Sequence, residues 1–288
     1  MNEHTILFGA NNGLIGTLTL PDSDVKQANV GFLLFNAGVT HRVGPHRINV
    51  RVARQLATRG IPSLRFDLAG HGDSARQTGE YSFEEQAVVD IRSAMDALGD
   101  AAKLSRFAIF GFCSGAYYGL DAAIADERAV GLLMLDAYRY PTLRTHATYG
   151  LNRLAQPRAL KAALGALRRG GANLVGRLGP AASRDKEDLV PELGRIDFVP
   201  PKEEIARRLR MLLDRGVSLH AIYSGGYPRE YNYAGQFEDT FGQFGITRQI
   251  QADFMPNLDH TVTELTDQAD LMRRVIAWGD GLAAQSAG

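Results

Sequence analysis

The chain predicts an α/β fold: a mostly parallel central sheet flanked by helices and interrupted by a helical insertion. Three observations carry this. Short, near-continuous apolar runs, of the kind carried by strands buried on both faces, alternate with amphipathic helical stretches. The alternation stops near Arg139 and resumes near Val217. One run, Phe107-Ala108-Ile109-Phe110, ends in Gly111-Phe112-Cys113-Ser114-Gly115 and passes directly into a helix-like stretch rich in Ala, Leu and Tyr. The expected organisation is a core of residues 1–138 and 214–288 with a helical cap, or lid, at 139–213.

In chain order, Thr5–Phe8 and Leu14–Leu20 flank Asn11-Asn12-Gly13, whose residues accept positive φ, and so form a hairpin. Val30–Phe35 is a buried-type strand, followed by the polar loop from Asn36 to Arg47 and a helix through Val50, Ala53 and Leu56. A shorter strand over Ile61–Asp67 leads into Gly70-His71-Gly72-Asp73-Ser74. Ser82 and Glu85 have capping-box spacing at the head of a helix carrying Ala87, Ile91, Ala94 and Leu98 on one face. After the Cys113 turn comes a helix to Ala125, then the strand Val130–Leu135 ending at Asp136.

The segment from 139 to 213 has helical periodicity broken by Gly170-Gly171, Gly179-Pro180 and Pro200-Pro201. Its basic run Arg207-Arg208-Leu209-Arg210 reads as a solvated helix face rather than a phosphate site. Strands over Val217–Tyr223 and Thr247–Phe254 and a closing helix through Leu271, Val275 and Trp278 complete the chain.

Composition narrows the function. Lys+Arg and Asp+Glu are 32 each, and that balance does not suggest a nucleic-acid partner. No apolar stretch has the length of a membrane span, and the N-terminus lacks a signal-peptide pattern. One cysteine excludes an internal disulfide and suits a reducing compartment, so the expected location is the cytoplasm. No Cys/His group has metal-ligand spacing and no glycine-rich phosphate loop follows the first parallel strand, so neither metal nor cofactor is expected.

Strand, sharp turn and helix are the context in which a G-x-nucleophile-x-G pentapeptide has meaning, because the central side chain is thrust out at the turn. Here that side chain is the thiol of Cys113, which needs a base or a helix N-terminus to ionise it. The competing reading is a buried structural cysteine. Ser114 is the second candidate nucleophile, although its position favours offering its backbone N–H to an oxyanion.

The Cys113 pentapeptide, the stretch Phe66–Ser74 and the late Asp259-His260-Thr261 together resemble the α/β-hydrolase superfamily over nearly the whole chain outside the insertion. Within it, Arg42–Arg47 with a G-x-C-x-G turn is similar to the hydrolases associated with bacterial exosortase systems. Cysteine at this turn resembles dienelactone-hydrolase and polyester-synthase members. The resemblance implies His260 as general base, in the family's nucleophile-acid-base order. It implies Asp136 as the acid, with Glu230 as the alternative near the more usual place. Asp259 reads as a loop cap. The oxyanion hole would combine the Ser114 N–H with that of Gly38 or Val39; the family usually has His-Gly where this chain has Asn36-Ala37-Gly38.

The function so implied is hydrolysis of an ester or thioester through an acyl-cysteine. The substrate is a small acyl compound, free or carrier-bound, and the Leu/Ala-rich lid suggests an apolar acyl group. The alternatives are an acyltransferase or cyclising thioesterase using the same acyl-enzyme, or a non-catalytic binding protein on the same fold.

Overall fold

The first two strands, β1 (Asn2–Phe8) and β2 (Leu14–Leu20), form the expected hairpin, and Asn11 and Asn12 at its turn take φ of 54° and 55°. The structure is a computed structural model describing residues 1–36, 38–77, 79–155 and 199–285. Next come β3 (Gly31–Leu34), α1 (Ile48–Thr58), β4 (Ser63–Phe66) and α2 (Phe83–Ala102). They are followed by β5 (Phe107–Phe112), α3 (Ser114–Ala125) and β6 (Ala129–Leu135). After α4 (Leu143–Ala155) and α5 (Lys202–Asp214) the chain returns to β7 (Ser218–Ser224), α6 (Gln236–Phe241), β8 (Ile250–Met255) and α7 (Leu265–Ala284).

Among the described residues these strands make one sheet in the order β1-β2-β4-β3-β5-β6-β7-β8. β2 pairs antiparallel with both β1 and β4, and every pairing from β4 to β8 is parallel. Alternation along the central strands feeds two cores. Leu33, Ile109, Leu132, Met134 and Leu219 face α2, α3 and α5, whereas Phe32, Leu34, Phe110, Leu133 and Ile222 face α1 and α7. That two-sided burial is why these strands read as apolar runs rather than as alternating patterns.

One boundary and one surface differ from the sequence reading. The last strand begins at Ile250, because Thr247–Gln249 closes a 3₁₀ turn first. The basic run on α5 is a docking face as well as a solvated one: Arg208 pairs with Asp121 of α3, and Arg210 donates to the Phe244 carbonyl at 2.8 Å. The expected lid lies between β6 and β7; α4 and α5 form its described flanks, and its residues 156–198 lie outside the described residues. No helix among the described residues is long and apolar enough to cross a membrane.

At the head of α2, Ser82 Oγ accepts from the Glu85 N–H at 3.2 Å and Glu85 Oε2 accepts from the Ser82 N–H at 2.9 Å. Losing that cap leaves backbone donors at the helix end without side-chain partners. Ser82→Ala should lower stability by about 1 kcal/mol, read from a denaturant midpoint shift at unchanged slope.

Candidate active site

The ladder of the sheet continues past the strand ends and sets the site. The Cys113 N–H donates to the Leu135 carbonyl at 2.8 Å, and the Asp136 N–H to the Ile222 carbonyl at 2.9 Å. The residues that follow β5, β6 and β7 are thereby held side by side at one edge, and the loop after β8 brings His260 to the same edge.

Cys113 sits between β5 and α3 with φ 52° and ψ −121°, a left-handed backbone that a side chain enters only when its surroundings impose it. The imposing groups are the helix and strand packed across the turn. A methyl at Gly111 would lie 2.4 Å from the Cα of Ala116, and one at Gly115 would lie 2.7 Å from the Asn36 carbonyl oxygen. Both glycines are therefore steric requirements. Gly111→Ala should cost about 1–3 kcal/mol as backbone is pushed apart, measurable as a lowered unfolding midpoint.

Cys113 is half-buried and lies at the N-terminus of α3, where the helix dipole favours negative charge. Burial pushes the thiol up, but the His260 hydrogen bond and charge, the Arg139 charge and the Ser114 N–H together bring it below its ordinary 9.0. Burial likewise opposes charge on His260, yet hydrogen bonds to Asp136 and Cys113 raise the imidazole to about 9. Both shifts favour a thiolate beside an imidazolium.

Asp136 follows β6 with φ 57° and is buried. Its Oδ2 lies 2.9 Å from His260 Nδ1. Oδ1 accepts from the Ser224 N–H at 2.7 Å and Oδ2 from the Ser224 hydroxyl at 2.6 Å. The structure thus brings Cys113, His260 and Asp136 together.

Glu230, the alternative acid, is committed elsewhere: its Oε2 accepts from Arg139 Nε at 2.6 Å, and Arg139 also donates to the Asp136 carbonyl. The Arg139 guanidinium lies over the Tyr227 ring at 3.6 Å, and that ring meets His260 edge-on at 4.7 Å. Asp259 caps its own loop, accepting from the Thr263 N–H and the Thr261 hydroxyl at 3.1 Å each.

The oxyanion loop is arranged differently from expectation. The Gly38 N–H is taken by the Ser114 hydroxyl at 2.7 Å, and Val39 is 62% exposed. Ser114 itself is buried, so its hydroxyl braces the loop rather than facing the substrate side. The Ser114 N–H is among the groups that favour the ionised form of the Cys113 thiol.

Behind the loop, Asn36 Nδ2 donates to the Thr40 carbonyl at 2.6 Å and to Asp67 Oδ1 at 2.9 Å, and Asn36 Oδ1 accepts from the Leu68 N–H at 2.6 Å. Among the described residues His41, Asp67 and Asp73 place ligand atoms within 4.8 Å of one another, as a metal site would. Arg42 Nη1 hydrogen-bonds to all three, so a guanidinium already supplies the positive charge there.

Sequence reasoning missed Ser224 and Arg139. Ser224 was visible only as the start of a loop, and Arg139 as the first of many arginines in the insertion.

A family model, described as the alpha/beta hydrolase family, matches residues 38–279. The chain belongs to that family. No curated protein matches the sequence. Among solved structures, this alpha/beta hydrolase is similar to a highly thermostable carboxyl esterase from Bacillus coagulans, at 12% identity and TM-score 0.58, covering 98% of this chain and 99% of that one. It is also similar to a proline iminopeptidase from Mycobacterium smegmatis, at 16% identity and TM-score 0.57, covering 99% and 100%. A third is XC6422 from Xanthomonas campestris, an a/b serine hydrolase without lid, at 17% identity and TM-score 0.54, covering 95% and 91%. At these identities the likeness establishes the shared fold.

Proposed function

We propose that this hydrolase cleaves an ester or thioester through an acyl-cysteine, with Cys113 as nucleophile, His260 as acid and base, and Asp136 as its partner. The observation that supports this above all is the Asp136 carboxylate held 2.9 Å from His260 Nδ1, with the same imidazole helping to keep the Cys113 thiol below its ordinary 9.0. Carboxylate, imidazole and an ionisable nucleophile in that order are what acyl transfer requires. The reading places the protein with the cysteine-nucleophile members, similar to the exosortase-associated hydrolases.

In the first half-reaction the thiolate adds to the acyl carbon, forming the S–C bond, and the carbonyl pair moves to oxygen. The Ser114 N–H faces that charge, and Gly38 contributes its N–H once Ser114 Oγ releases it. Each such donor accounts for roughly 3 kcal/mol of barrier. Collapse expels the alkoxide or thiolate, which takes the proton carried by His260. Neutral His260 then deprotonates a water, the hydroxide adds to the thioester carbon, and the S–C bond breaks to release the acid and restore the thiolate.

Turnover of a panel of activated acyl esters and thioesters tests this, with Cys113→Ala as control. Hydrolysis by the wild type and none by the variant is the expected result. Equal rates for both, or no hydrolysis by either, would overturn it.

A further inference from the structure

Ser224 presents both of its donors to one buried carboxylate. It ends β7, is fully buried, and donates its N–H to Oδ1 and its hydroxyl to Oδ2 of Asp136 at 2.7 and 2.6 Å. The direction of the second bond follows from its neighbours. Ser224 Oγ accepts from the Gly226 N–H at 3.2 Å, and an ionised carboxylate can only accept, so the hydroxyl proton lies on the Asp136 side. Oδ2 is also the oxygen at 2.9 Å from His260 Nδ1. A carboxylate pinned at both oxygens cannot rotate about its terminal torsion, which in an unrestrained Asp is broad. With Oδ2 fixed at Nδ1, that nitrogen carries the imidazole proton and Nε2 is left for the sulfur.

We propose that Ser224 is a positioning residue of the catalytic group, locking the Asp136 carboxylate so that His260 holds the tautomer and orientation that ionise Cys113. This rests on the acyl-cysteine reading above. The other charged or titratable groups around the pair and the thiol are Cys113 itself from the β5–α3 turn, Tyr117 and Tyr118 of α3, Arg139 after β6, and Tyr223, Tyr227 and Glu230 from β7 and its following loop. Removing the Ser224 hydroxyl leaves all of them in place.

Cys113 is the one thiol of the chain, so its alkylation by iodoacetamide, followed against pH, reports its ionisation directly. In Ser224→Ala the midpoint of that profile should rise by about one pH unit, the shift equivalent to one charge-assisted hydrogen bond. Ser224→Thr, which keeps the hydroxyl, should restore it. If the alanine variant does not fold, Ser224→Thr and Ser224→Val are compared instead: they share a shape, and only valine should shift the midpoint. A midpoint unchanged or lowered without the hydroxyl overturns the proposal. The parent reading fails separately: there the wild-type midpoint sits at the ordinary 9.0 and His260→Ala leaves it there.

Discussion

Replacing Cys113 by alanine is expected to lower acyl turnover by on the order of 10⁴-fold or more, to the background left by binding and hydrogen-bond donors alone. The fold should survive. The side chain is partly exposed, and the φ of 52° is held by Gly111 and Gly115 and by the strand and helix they join, not by the sulfur. Steady-state rates of both forms, at matched unfolding midpoints, check this. A variant that keeps a tenth of wild-type activity would remove Cys113 from the chemistry and return attention to Ser114.

The second large effect concerns His260. His260→Ala removes the proton carrier and should cost roughly 10²–10⁴-fold in kcat/KM. It should also change the pH dependence in a defined direction. Burial of the thiol persists in the variant while its stabilising imidazolium is gone, so the Cys113 alkylation midpoint should move from below 9.0 to that value or above it. Stability carries the same signature. The imidazole is raised from 6.5 to about 9 in the folded protein, so its contribution is fully present below pH 6.5 and is lost as pH rises through about 9. The stability gap between wild type and His260→Ala should narrow across that window, measured by denaturant unfolding at a series of pH values.

The candidate catalytic group is legible where chain chemistry is local. A strand ending in Gly111, a thiol two residues on and Gly115 beyond it describe the turn without reference to distant residues. The contacts that decide each later role are long-range. The sequence favours Asp136 and leaves Glu230 as the alternative because both follow strands; what separates them is Arg139, which lies close behind Asp136 and reaches across to take Glu230. Ser224 escaped notice for the same reason: its partner Asp136 lies 88 residues away, and a serine before two glycines reads as a loop. At Asn36-Ala37-Gly38 the departure from the family pattern was visible but its consequence was not. It emerges from Ser114 Oγ reaching the Gly38 N–H and from Asn36 bridging to Asp67. The fold fared better, since two-sided burial of β3, β5 and β6 writes itself into apolar runs, and Ser82 and Glu85 form the cap their spacing implies.

The most direct test of the acyl-cysteine account is intact-mass spectrometry of the protein mixed with an activated ester or thioester and quenched in acid within one turnover. The account predicts a mass increase equal to one acyl group, mapped to Cys113, absent from Cys113→Ala and decaying as product acid appears. Turnover with no such adduct, or an adduct mapped to Ser114, would contradict it.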